Sequence, residues 1–239
     1  MHKAKKKFEQ QYRNGRKPSD EGSVIFTKER DFAMKNPLHY QLSEYDCGPT
    51  SMLNAISFLF EREDIPPELI RNIMLYSLDC YGSEGGPGKS GTSRAAMMFL
   101  SNWLNGFGDV GLLNVSSKYL SGKSVYIGQQ SYINDALTRG GAAVVRLFLD
   151  EPHYVTLTGL DASGNLLIFD PYLDDELTTN EIIITRDHPC EYNRIVPADY
   201  FNLETETLYA FGPFEGREAV LVFNNDTKIT SEETIEYFI

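Results

Sequence analysis

The 239-residue sequence predicts an α+β protein, helical in its first half and strand-rich in its second. Three observations carry this. Apolar residues recur at helical spacing between about 50 and 105. Beyond about 110, short β-branched and aromatic runs alternate with turn residues. The two patterns are segregated along the chain rather than interleaved, which argues for helices beside an antiparallel sheet and against a parallel one.

Residues 1–22 are polar and aperiodic, with seven basic residues against three acidic ones, and are expected to form a loosely ordered basic arm. Residues 23–239 are expected to form one domain. Its helical lobe spans about 40–110 and its β lobe about 111–239. In the first helix Met52, Leu53, Ala55, Ile56, Leu59 and Phe60 follow Gly48-Pro49-Thr50-Ser51. A second starts at Pro66-Pro67-Glu68, with proline in the first turn, and runs through Leu69, Ile73 and Leu78. After a glycine-rich loop, Gly82–Gly91, Thr92 or Ser93 can cap a third helix bearing Ala95, Met98, Phe99, Trp103 and Leu104.

In the second half, Ala142–Leu149, His153–Leu160 and Leu166–Phe169 read as strands. The turn residues Asp161-Ala162-Ser163-Gly164-Asn165 join the last two as a hairpin. Glu181–Thr185, Thr207–Phe211 and Glu218–Phe223 are expected to be further strands.

Composition narrows the function. The formal net charge of −12 argues against a nucleic-acid binder, which needs a basic face for phosphates. It suggests a basic or cationic peptide as partner. No apolar run reaches the roughly 18 residues that span a bilayer, and no signal-like apolar segment follows the basic start, so a cytoplasmic chain without a transmembrane segment is expected. Three cysteines (Cys47, Cys80, Cys190) show no metal-ligand spacing and leave an odd thiol. Gly85–Ser90 resembles the end of a phosphate-binding loop, but Ser83 stands where that pattern needs glycine. No cofactor or metal is therefore expected.

The most informative stretch is Gln41–Thr50. Cys47 falls where a loop becomes a helix, and a helix N-terminus stabilises a thiolate. Its free N–H groups can also hold an oxyanion. Gly48 is expected to leave room for substrate, and the Gln41 amide can turn back over the sulfur. Asp46 reads as a helix cap. A thiol nucleophile needs a base and an orienting group. Of four histidines, His2 lies in the arm, His39 near the Cys47 loop and His188 in a charged connection. His153 opens a strand, and Asp170 ends the returning one. Whether the two share a face depends on the parity of the hairpin, which the sequence leaves open.

The pattern Gln-x4-Asp-Cys-Gly-Pro, then His-Tyr-Val, then Asp-Pro, over roughly residues 37–175, resembles the bacteriocin-processing cysteine peptidases. These papain-like enzymes cut leader peptides after double glycine, often as the N-terminal domain of an export ATPase. The resemblance implies a papain-like fold, with Cys47 as nucleophile, His153 as general base and acid, Asp170 as its orienting partner and Gln41 as oxyanion donor. A peptide or protein would be the substrate. With no transmembrane segment or ATPase read in the sequence, a standalone form is expected. The same machinery can run acyl transfer or transamidation, and a non-enzymatic papain-like binding module is the other alternative.

Overall fold

The computed structural model describes residues 35–81, 90–172, 179 and 181–230. The basic arm, and the part of the glycine-rich loop from 82 to 89, lie outside the described residues. Helices α1 (Cys47–Leu59), α2 (Pro67–Ser77) and α3 (Arg94–Asp109) come first, where helices are expected, but α3 buries Ala96, Met97 and Leu100 and leaves Ala95, Met98 and Phe99 exposed. The Ser93 hydroxyl caps α3 by accepting from the Ala96 N–H. Pro67 opens α2, where its missing N–H costs nothing.

Strands β1 (Val115–Ser121), β2 (Ala142–Leu149), β3 (Glu151–Leu160), β4 (Leu166–Phe169), β5 (Ile183–Ile184), β6 (Arg194–Val196) and β7 (Glu218–Asn224) form one antiparallel sheet. Its order is β1-β7-β2-β3-β4-β6-β5. A short helix, α4 (Tyr132–Thr138), interrupts the strand-rich half.

Side-chain alternation on β2 explains the layering. Ala142 and Val144 point to the face covered by α1, α2 and α3, beside Met52, Ile56, Leu69, Met97 and Leu100. Ala143, Val145 and Leu147 point to the other face, against Ile133 and Leu137 of α4 and Phe201, Tyr209 and Phe211. With both faces covered, β2 reads as an apolar run broken only by Arg146 rather than as an alternating one. The first three helices and the sheet thus share a core.

Three expectations need correction. Thr207–Phe211 is not a strand. Tyr209 takes a left-handed backbone (φ 58°), and the segment makes only local exchanges with β2, Tyr209 N–H to Phe148 O and Phe148 N–H to Ala210 O. Glu181–Thr185 shrinks to the two residues of β5, which pairs on one side only, with β6. Gly48 does not open a path for substrate, because a Cβ there would lie 2.2 Å from Thr92 Oγ1, so the side chain leading into α3 fills that space. β1, β6 and α4 carried too little periodicity to be foreseen.

Gly108, near the end of α3, tests how closely helix and sheet approach. A Cβ there would sit 2.1 Å from the Val115 carbonyl oxygen. Alanine is the better helix former by about 1 kcal/mol. Nevertheless Gly108→Ala should destabilise the protein by about 1–3 kcal/mol through overpacking against backbone. Urea unfolding midpoints of the two proteins measure this.

Candidate active site

Cys47 is the first residue of α1 and is 7% exposed. The helix lies on β3 through two reciprocal bonds: Ser51 Oγ donates to Tyr154 O (2.9 Å) and Thr156 Oγ1 donates to Ser51 O (2.9 Å). Ser51 is one turn after Cys47, and Tyr154 is the neighbour of His153. The clamp therefore sets Cys47 and His153 on one hollow, near enough for the cysteine to bear on the imidazole's charge.

On the other side of the ring, His153 Nε2 donates to Asp170 Oδ1 at 2.8 Å. The two residues meet because β3 carries a bulge. Leu160 pairs with Leu166 and Gly159 with Leu167, but Leu157 pairs with Ile168 and Thr156 with Phe169. Without that one-residue shift, Asp170 would oppose Thr156 and point away from His153. With it, Asp170 falls opposite Val155, on the face that His153 shares.

Asp170 is 1% exposed. A buried carboxylate must be fully hydrogen-bonded, and this one is. Besides His153, the Tyr172 N–H donates to Oδ1 (2.9 Å) and the Tyr209 hydroxyl to Oδ2 (2.8 Å). Asn193 holds its backbone from both ends: Oδ1 accepts from Asp170 N–H (2.8 Å), and Nδ2 donates to Asp170 O (2.7 Å). Tyr209 and Asn193 escaped the sequence reading because neither stands near a motif. A tyrosine and an asparagine in turn-like segments carry no pattern that points to a distant aspartate.

The electrostatics follow from this packing. Burial alone would push the Asp170 carboxyl up, but His153 and the hydrogen bonds from Tyr172 and Tyr209 outweigh it and hold it below 3.8. Burial would pull the His153 imidazole down, yet Asp170 and then Cys47 raise it from 6.5 to about 10. The ring is therefore held protonated at neutral pH.

Gln41 lines the same cleft. Its backbone N–H donates to Pro171 O (2.9 Å), and its side-chain Nε2 donates to Ser43 O (2.8 Å). Gln41 Oε1 is buried without a partner. Asp46 stands at the cap position of α1, but its side chain makes no capping bond. The other histidines lie elsewhere: His39 is exposed, its backbone held by Asn54, and His188 stacks on Tyr192. Cys80 and Cys190 are half-buried and unpaired. Among the described residues no group of His, Cys, Asp and Glu is placed to hold a metal, and no helix is long and apolar enough to cross a membrane.

Two hollows flank Cys47, of about 430 and 340 Å³. Both fall in the range of small-ligand pockets. The first is lined by Ser90, Gly91, Thr92, Arg146 and Tyr154, so the end of the glycine-rich loop borders the cleft. The second is lined by Gln41, His153, Asp150 and Tyr172. Glu44 and Glu151 border both.

Two outcomes are expected. Tyr209→Phe removes one donor from a buried carboxylate and should cost about 1–3 kcal/mol in denaturant unfolding. His153, whose charged form is favoured in the folded state, contributes stability fully below pH 6.5 and loses it as pH rises through about 10. The stability gap between wild type and His153→Gln, read from thermal unfolding, should therefore shrink from pH 6.5 to 10. No protein-family model matches the chain and no curated protein does, which leaves the geometry of these side chains to speak for its chemistry.

Proposed function

We propose that the protein is a papain-like cysteine hydrolase that cuts peptide bonds. The observation that carries this is that Cys47 and His153 line one hollow, with the buried carboxylate of Asp170 bonded to the His153 ring behind them. A nucleophile in reach of a base, itself oriented by a third group, is the arrangement acyl transfer needs. A nucleophile at the head of a helix packed on an antiparallel sheet that bears the base also agrees with a papain-like architecture.

In this mechanism the Cys47 sulfur attacks the substrate carbonyl, with the thiol proton held on His153. The backbone N–H of Cys47, at the start of α1, has no acceptor within its helix and faces the developing oxyanion. An amide nitrogen carries two hydrogens. Gln41 Nε2 spends one on Ser43 O and offers the other to the oxyanion. His153 then returns its proton to the leaving amine, and water releases the acyl group. Asp170 keeps the ring in one tautomer throughout.

A peptide substrate is favoured by the cleft. Gln41 and Thr92 each line one of the two hollows beside Cys47, so an extended peptide crossing the nucleophile would run past both. The exposed carboxylates of Glu44, Asp150 and Glu151 favour a basic sequence.

The test is turnover of a fluorogenic peptide library biased toward Lys and Arg. Cys47→Ala and His153→Ala should each lower the rate by about 10³-fold or more. Release of the free acid in the presence of added amine marks hydrolysis, and an amide product would move the reading to acyl transfer. Unchanged turnover in Cys47→Ala would end it.

A further inference from the structure

The Asp46 carboxylate is 5% exposed and turns away from the helix it precedes. It collects the loop instead. Leu42 N–H (2.9 Å), Ser43 N–H (2.7 Å) and the Ser43 hydroxyl (2.6 Å) all donate to it, with Thr50 Oγ1 farther away at 3.4 Å. Ser43 is thus held by its N–H and hydroxyl to Asp46, while its carbonyl accepts from Gln41 Nε2. A continuous path runs from a buried charge, through one serine, to the amide that faces the cleft.

Resting on the acyl-transfer reading above, we propose that Asp46 is a positioning residue that fixes the Gln41 side chain over Cys47 and acts on the oxyanion, not on the thiol. A helix-cap role would require its oxygens on the first-turn N–H groups, and they are on residues 42 and 43. Among the described residues the Asp46 carboxylate bonds Leu42, Ser43 and Thr50, and none of these bonds leads to the thiol. Burial raises its carboxyl, but the Ser43 hydroxyl and the N–H groups of Leu42 and Ser43 outweigh that and keep it lowered. It therefore remains an acceptor at neutral pH.

Two probes on the full chain separate the roles. Iodoacetamide alkylates the Cys47 sulfur with loss of iodide and forms no oxyanion. With p-nitrophenyl acetate, Cys47 attacks the ester carbonyl, an oxyanion forms, p-nitrophenolate leaves, and an S-acetyl enzyme results. Asp46→Asn should alkylate within about twofold of wild type but acylate about 10²-fold more slowly, the usual cost of losing one oxyanion donor. Gln41→Ala should show the same split, and the double variant should be no worse than Gln41→Ala alone, because the two act as one unit.

Additive losses in the double variant, or alkylation falling in step with acylation, would overturn the proposal. Should Asp46→Asn fail to fold, Ser43→Ala deletes only the hydroxyl link at an exposed residue. It should slow acylation severalfold and leave alkylation alone, and equal rates with wild type on both probes would overturn the assignment. A wild-type protein inert to both probes would instead remove the acyl-transfer reading itself.

Discussion

The candidate site depends on the two hydrogen bonds that lock α1 onto β3, Ser51 to Tyr154 and Thr156 to Ser51. Each joins a side chain on one element to the backbone of the other, so together they fix sliding as well as distance. Both lie in a dry interior, where a neutral bond left unmade costs about 1–3 kcal/mol. Cys47 and His153 are each held within one turn or one residue of this clamp. Their place on one hollow is a consequence of how a helix sits on a strand, and it does not rely on flexible loops meeting by chance.

Behind the clamp, Asp170 is the most demanding group in the fold. A carboxylate at 1% exposure is tolerated only with partners, and these come from three places, His153 on β3, the following Tyr172 and Tyr209 beyond β6, while Asn193 just before β6 holds the Asp170 backbone. Tyr209 also binds the end of β2 through its own N–H. The left-handed backbone at Tyr209, unfavourable for a bulky residue, is held by these two bonds and a fully buried ring. The orienting of one imidazole has thereby drawn in most of the strand-rich half.

Much of this was legible in the sequence. The helices stood out because their apolar spacing and their proline and serine starts agree, and the central hairpin because its turn residues are explicit. Cys47 could be placed at the head of α1 for the same reason, and of the residues in the order Gln41, Cys47, His153, Asp170 the fold brings the first three to one cleft and sets Asp170 behind His153. What stayed hidden depends on tertiary context. The parity of His153 and Asp170 is set by a bulge at Thr158 that no residue type announces. β1 finds its strand character only by pairing with β7. Tyr209 reads as a strand residue, since aromatics favour strands, until its neighbours force it otherwise. Asp46 read as a cap because aspartate before a helix usually is one.

The bulge in β3 has a further consequence for how this protein can change. Insertions and deletions are usually tolerated in exposed turns, and the 161–165 turn is largely exposed. Here tolerance is governed by arithmetic. Any length change that re-registers β4 against β3 by one residue would turn Asp170 away from His153 and carry Leu166 and Ile168 off their core face with it. A second one-residue change, at the bulge, would restore it. Lineages of this fold should therefore accept length changes around the hairpin in compensated pairs, a constraint that acts on counting and leaves residue identity free.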